Sequence, residues 1–391
     1  MTYARGTPAP APLARPLELI CFALIVAHAV YLAASWWTGS WIVGPDGKGI
    51  ASDFVNVWAA GKLTLDGTPA VAYDWPAHKA VEELAVGKPF DGYFGWHYPP
   101  MFLFAAATLA LMPYAAAYAL WAIATFPVYL AAMRGIVGDR AGYLIAAAFP
   151  AVLSNFIVGQ NGFLTAGLIG GTLLFIERRP VAAGVLLGLL TYKPHLGLLF
   201  PLVLAVSGHW RVFFVATIVA VILAALSWLA FGTVTWFAFF NSISQTSQAF
   251  LSDGWANWGK LQTAFGITRA LGGGETLAWT LHGALALLTA IVVCVIWRSP
   301  VTFDVKAAAL ATGAMLATPY LYTYDLVVLA IPLAFLFRLG RRGGFLAYEW
   351  HGMALTCLLV LIFPFVTAPV GFLAVLVTAT LVVRRALRSA A

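Results

Sequence analysis

Charge is what this chain has least of: 9% of its 391 residues are Asp, Glu, Lys or Arg, against roughly a quarter in soluble domains. With 62% hydrophobic residues and a mean hydropathy of +0.89, that scarcity excludes a soluble globule. Cysteine is nearly absent. The three present, Cys21, Cys294 and Cys357, lie inside apolar runs without ligand spacing, so they read as small core residues and no metal site follows. There is no phosphate-binding loop, dinucleotide glycine fingerprint, His-Glu-x-x-His or Gly-x-Ser-x-Gly, which leaves nucleotide hydrolysis and zinc chemistry without support. The apolar runs lack period-two alternation, which excludes an outer-membrane barrel. Acids are fewer than bases, 15 against 22, yet the surplus sits between apolar runs, where it orients a membrane protein; a lipid bilayer is the expected partner and nucleic acid is not.

What is present is apolar sequence in lengths that cross membranes. A spanning helix needs about 20 such residues, and the pattern predicts an all-α, polytopic transmembrane helical bundle of about twelve spans. It reads as a single integral membrane domain over 1–391, with a first span at 17–37, an external loop with amphipathic helices at 38–112, spans two to seven in 114–231, a second external loop at 232–276 and spans eight to twelve in 277–385. The basic residues set its orientation. Arg134 and Arg140, Glu177-Arg178-Arg179, His209 with Arg211, Arg298 and Lys306, the group Arg338, Arg341 and Arg342, and the group Arg384, Arg385 and Arg388 fall on one side if 181–207 crosses twice, with a break near Lys193-Pro194. Both termini are then cytoplasmic, in a multi-pass protein of the cytoplasmic (inner) membrane. The same parity makes 99–112 an external, membrane-embedded helix that does not cross; two short crossings within 98–133 are the other reading. The Ala/Pro-rich start, 1–15, precedes a run too long for a cleavable signal. In the first external loop, 53–65 and 76–86 are amphipathic and expected to lie along the membrane surface, with Phe54, Val55, Trp58 and Trp75 as interfacial anchors.

Five polar clusters interrupt this apolar chain: Ser52-Asp53 with Asn56, Trp96-His97-Tyr98-Pro99-Pro100, Gly159-Gln160-Asn161-Gly162, Tyr192-Lys193-Pro194-His195, and 320–325. All fall on the external face, which points to one polar cavity, and polar groups at such depth are functional candidates by default. Ser52 can N-cap a helix beginning there, placing Asp53 in the first turn, ionised by the helix dipole. An ionised carboxylate at a membrane-surface cavity can act as general base toward a hydroxyl; an ordinary helix-start acid fits equally. Asn56 shares its face. Lys193 needs an anionic partner, supplied either by a lipid-carrier phosphate or by Asp325, and His195 offers a second donor. Gln160 and Asn161 suit sugar hydroxyls or a plain helix turn. His97, Tyr98, Tyr324 and Asp325 complete the substrate and donor candidates. In the second external loop, Lys260 with Trp255, Asn257 and Trp258 resembles a lid, or a set of interfacial anchors. Asp53 has no second acid nearby to hold a divalent ion on a diphosphate, so no metal or other cofactor is expected and a monophosphate leaving group is favoured.

Asp53-Phe54 followed by Trp58-Ala59-Ala60-Gly61, Gly67-Thr68-Pro69 and Tyr73-Asp74 resembles the external loop of glycosyltransferase family 87. Tyr98-Pro99-Pro100, Leu111-Met112-Pro113 to Trp121, Gly159-Gln160-Asn161-Gly162, Ala183-Gly184 with Leu187-Gly188, Lys193-Pro194-His195 and Ala317-Thr318-Pro319 through Tyr324-Asp325 continue it over roughly 50–340. The resemblance implies a GT-C type fold with an external, membrane-embedded site. It also implies a polyprenyl-phosphate-sugar donor, a glycolipid or envelope-glycan acceptor, and Asp53 as base in an inverting transfer of a hexose, mannose by analogy. A histidine that some members carry near the C-terminal block is replaced here by the Tyr320/Tyr322 region. Two other classes keep a claim on the same features: a transporter or flippase of lipid-linked sugars, and a non-catalytic subunit of envelope-glycan assembly. Transporters commonly show inverted repeats and polar sites at mid-depth; this chain has neither in its sequence pattern.

Overall fold

A backbone inside a bilayer has no partner but itself, and a helix satisfies its N–H and C=O groups within one segment. The computed structural model describes residues 13–390 except 256 and 367, so most of the Ala/Pro-rich start lies outside the described residues. Among the described residues the structure is helical, with only isolated bridges at Trp41–Val43 and Val43–Gly49.

The chain enters through α1 (Arg15–Trp37) and builds a cap from α2 (Phe54–Leu65), α3 (Trp75–Val86) and α4 (Leu103–Ala110). The bundle continues with α5 (Tyr114–Val137), α6 (Ala141–Ala148), α7 (Ala151–Val158), α8 (Gly162–Phe175), α9 (Pro180–Leu189), α10 (Pro194–Gly197), α11 (Leu199–Val206) and α12 (Trp210–Ser247). After α13 (Ala264–Ala270) come α14 (Glu275–Arg298), α15 (Phe303–Ala317), α16 (Ala330–Gly343), α17 (Glu349–Ile362) and α18 (Val370–Ala390). Glycines 184 and 188 on α9 face Val215 and Val219 of α12, the close approach that small residues permit between membrane helices.

Six segments are long and apolar enough to cross a membrane: Arg15–Trp37, Tyr114–Val137, Trp210–Ser252, Glu275–Arg298, Thr323–Gly343 and Val370–Arg388. The pair α6 and α7, bent by 63°, makes a seventh if it is one span. The remaining apolar sequence forms shorter helices, Pro100–Ala110, Gly162–Phe175, Pro180–Tyr192, Pro194–Val206 and Glu349–Phe365. At about 1.5 Å per residue, a helix the length of α8, 14 residues, falls short of a hydrocarbon core about 30 Å thick. Hydropathy windows register the apolar run and not the length of the helix inside it. Proline sets several of these limits: Pro150 sits in the bend between α6 and α7, and Lys193-Pro194 separates a 3-10 turn at Leu190–Tyr192 from α10, as the sequence suggests.

Three local expectations are revised. Phe54 and Val55 are fully buried and Trp75 nearly so; Phe54 packs against Tyr114 and Tyr118 of α5 and Trp75 against Tyr93 and Trp255, so these side chains face protein instead of anchoring the cap at an interface. Trp58 is partly buried and donates through its indole N–H to the Met112 carbonyl at 2.8 Å. The segment 232–276 is not all loop: helix continues to Ser247 through a kink at Gly232 (φ 77°), and this extension crosses the cap, with Phe239 against Tyr73 at 5.9 Å.

The bundle has two distinct ends. At one, Arg338 pairs with Asp304 and donates to the Ile136 carbonyl, Arg341 pairs with Asp139, and Arg385 with Glu349. Trp297 donates to the Lys306 carbonyl and meets His209 edge-on. The loops around 139, 209, 300, 341 and 385 therefore gather together. The five polar clusters collect at the other end.

Candidate functional site

A cavity of about 1130 Å³ opens beneath the cap, large enough for an amphiphile's head. Asp53 stands on its wall at the cap position immediately before α2, and its side chain makes no capping bond to its own helix. Ser52 does not cap either: its Oγ lies 3.1 Å from the Tyr114 hydroxyl, which donates to the Ile50 carbonyl. The carboxylate is thereby left to the cavity.

From Asp53 a chain of hydrogen bonds runs round the wall. Gln160 Nε2 donates to Asp53 Oδ2 at 3.2 Å, and Tyr98 Oη donates to Gln160 Oε1 at 3.1 Å. Asn161 Nδ2 donates to Tyr98 Oη at 2.7 Å, while Lys193 Nζ donates to Asn161 Oδ1 at 2.9 Å and to Asp325 Oδ1 at 2.5 Å. Asp325 Oδ2 then accepts from the Tyr322 backbone N–H. All five polar clusters are joined in this one network, and every link pairs a donor with an acceptor. Of the site residues expected from sequence, Asp53, Asn56, His97, Tyr98, Gln160, Lys193, His195, Tyr324 and Asp325 all line the cavity. Asn161 does not; it stands one layer behind, bridging Tyr98 to Lys193.

The turn carrying Gln160 and Asn161 depends on its glycines. Gly159 ends α7 at φ +67°, and a Cβ there would lie 2.7 Å from Phe54 and Tyr118. A Cβ on Gly162 would lie 2.4 Å from the Tyr324 carbonyl oxygen. Gly162→Ala should therefore force the 159–162 turn off the 320–325 wall and lower stability by about 1–3 kcal/mol, read as a lower unfolding midpoint in detergent.

Electrostatics distinguishes the members. Burial pushes the Asp53 carboxyl up to about 6, opposed by the Gln160 hydrogen bond and by the positive charges of Lys260 and Lys193, and assisted by Asp325. The expectation of an acid held low by its helix start is thus revised: loss of water outweighs the helix dipole. Asp53 is still ionised at neutral pH, and its basicity is well matched to proton abstraction there. His97, 3.1 Å from Thr246 Oγ1, is brought down to about 4 by burial and is a neutral imidazole. Asn56 Oδ1 and His195 Nε2 line the cavity with no hydrogen-bond partner among the described residues. Buried polar atoms of this kind are expected to be satisfied, so both are available to a ligand. Lys193 is committed to Asp325, one of its two partners left open by the sequence, with the Tyr324 ring 5.0 Å away.

The sequence reading missed other members. Thr246 and Phe250 reach the cavity from the helical segment that continues α12, whereas Lys260 and Trp255, which the sequence offers as part of a lid or as interfacial anchors, line it from the segment beyond. On α3, His78 and Glu82 are wholly buried 3.6 Å apart; burial pushes Glu82 up to about 8 and His78 down to about 3, so both are neutral. Glu82 looks like one more solvated acid beside Glu83, and only the inward turn of α3 separates them.

A helical membrane protein with a cavity at one end that carries a poised carboxylate and a fixed amide-lysine network has the form of an enzyme or a carrier. The chain belongs to glycosyltransferase family 87, whose family model matches residues 96–319. That stretch contains His97, Tyr98, Gln160, Asn161, Lys193 and His195, and leaves Asp53, Asn56, Tyr324 and Asp325 outside it. No curated protein and no solved structure matches the chain.

Proposed function

We propose that this glycosyltransferase moves a hexose, mannose by analogy, from a polyprenyl-monophosphate sugar to a glycolipid or envelope-glycan acceptor, inverting the anomeric centre without a metal ion. The observation that carries this reading is Asp53: a carboxylate near pKa 6 on the wall of an amphiphile-sized cavity, held by one amide and, among the described residues, paired with no cation. An acceptor hydroxyl gives its proton to Asp53 as its oxygen attacks the anomeric carbon. The bond from that carbon to the phosphate oxygen breaks on the opposite side, and the electron pair leaves with the phosphate. Asn56 Oδ1, His195 Nε2 and Gln160 orient sugar and acceptor hydroxyls, while the Lys193–Asp325 pair, joined to Tyr98 through Asn161, holds Tyr98 and Tyr324 in register.

The GT-C arrangement proposed from the resemblance has support in the run of the chain. Beside the six long apolar helices and the bent pair of α6 and α7 stand five shorter apolar helices, and the basic loops gather at the end away from the cavity. This supports cytoplasmic termini and a cavity facing the periplasm or exterior, in the cytoplasmic membrane.

The test is turnover by the purified full chain in detergent, with a radiolabelled polyprenyl-phosphate hexose, mannose first, and membrane lipid extract as acceptor. The expected result is release of polyprenyl phosphate together with a labelled glycolipid, with no ion gradient and with a rate unchanged within about twofold by EDTA, since no metal supplies the charge stabilisation. Movement of intact donor across a reconstituted bilayer without cleavage would instead make the protein a transporter. Loss of rate on EDTA would overturn the metal-free mechanism alone.

A further inference from the structure

We propose that Lys260, and not Lys193, supplies the positive charge that binds the donor phosphate and stabilises it as it departs, an inference that rests on the donor class assigned above. Lys193 is spoken for: its ammonium is shared between Asp325 and Asn161, both buried. Lys260 lines the same cavity, is exposed to it, and has no carboxylate partner among the described residues. Asp53 and Lys260 both line that cavity, and the positive charge of Lys260 favours the ionised form of Asp53.

Lys260 is also more than a solvated lysine on a loose loop, because its backbone is bolted in place. It ends a 3-10 turn, Trp258–Lys260, capped by the Asn257 side chain on the Gly259 N–H at 2.8 Å. Trp258 donates to the Leu251 carbonyl at 2.9 Å, and the Arg269 guanidinium stacks on the Trp258 ring at 4.2 Å. Gln262, wholly buried, donates to the Lys260 carbonyl and takes the Gly371 N–H, while its own N–H bonds the Leu321 carbonyl at 2.7 Å. The backbone of Lys260 is thus fixed to the wall that carries Asp325.

Charge balance gives the reason. With Lys193 and Asp325 neutralising each other, Asp53 and Lys260 are opposite unit charges on one cavity. The donor phosphodiester brings one negative charge. As the glycosidic bond breaks, its electron pair makes the phosphate a dianion, while Asp53 gains the acceptor's proton and loses its charge. The negative charge therefore moves from Asp53 to the phosphate during the step, and a fixed ammonium near the phosphate favours that transfer.

Binding of a short-chain probe separates this inference from the function it rests on. Farnesyl phosphate and uncharged farnesol are titrated against the purified full chain as wild type, Lys260→Met, Lys260→Gln and Lys260→Arg. The wild type should prefer farnesyl phosphate over farnesol by roughly tenfold to a hundredfold, the worth of a charge-assisted bond. Lys260→Met and Lys260→Gln should lose most of that preference at unchanged farnesol affinity and unfolding midpoint, and Lys260→Arg should keep it. Retention of the preference in both neutral variants overturns the assignment to Lys260 and leaves the glycosyl transfer standing. A wild type that does not distinguish the two probes overturns the donor class itself, and the assignment with it.

Discussion

Asp53→Asn should abolish sugar transfer while leaving a folded, membrane-inserted protein. Removal of a general base costs roughly 10²- to 10⁴-fold in rate, and here nothing replaces it: the other cavity carboxylate, Asp325, is held by Lys193 and by the Tyr322 N–H. The fold does not depend on the charge. Burial raises the Asp53 pKa from 3.8 to about 6, so it is the ionised form that the folded state disfavours. The sign follows directly: protonation stabilises the fold, and the cost of the charge is fully present above pH 6. A neutral, isosteric amide removes that cost, and its oxygen can still accept from Gln160. The unfolding midpoint of Asp53→Asn at pH 7.5 should equal or exceed that of the wild type. Full turnover by the variant, measured as release of polyprenyl phosphate, would remove Asp53 as the base; a lowered midpoint would show that the residue's work is structural. The wild-type rate should also fall tenfold per pH unit below about pH 6, because only ionised Asp53 can take the proton.

Much of this site was legible because charge is so scarce in the chain. A polar residue between apolar runs is costly wherever the fold does not use it, so Asp53, Gln160, Asn161, Lys193 and Asp325 stood out one by one, and their convergence followed from a charge rule that used none of them. Helices α2 and α3 were legible from their amphipathic periodicity. Their orientation was not: the same periodicity serves a helix lying on lipid and one packed under neighbouring protein, and only the second buries Phe54, Val55 and Trp75. The extension of α12 past Gly232 was hidden because hydropathy marks neither a kink nor what an exposed helix crosses. Lys260 was legible only as part of a lid or a set of interfacial anchors, and not as a fixed charge on the cavity. In a hydrophilic segment a lysine is ordinary, and its significance depends on the Trp258, Arg269 and Gln262 contacts that fix its backbone.

The Lys193–Asp325 pair carries the largest expected effect on stability. Both side chains are almost wholly buried, at 5% and 1% exposure, and removing one partner of such a pair strands the other charge, typically at about 3–5 kcal/mol. Lys193→Met should therefore lose most of its folded yield, and Asp325→Asn should lose less, since Asn161 still accepts from the ammonium and an amide oxygen can take the Tyr322 N–H. The double variant Lys193→Met/Asp325→Asn contains no stranded charge. It should recover a large part of the single-variant loss, a coupling of roughly 1–3 kcal/mol in a double-mutant cycle on unfolding midpoints. Additive losses would mean that the two residues are not a unit. The double variant also decides between the two partners that the sequence allowed Lys193. If Asp325 is the partner, the refolded double variant keeps its preference for farnesyl phosphate over farnesol, because Lys260 still supplies the charge. If a lipid phosphate is the partner, stability returns and that preference does not.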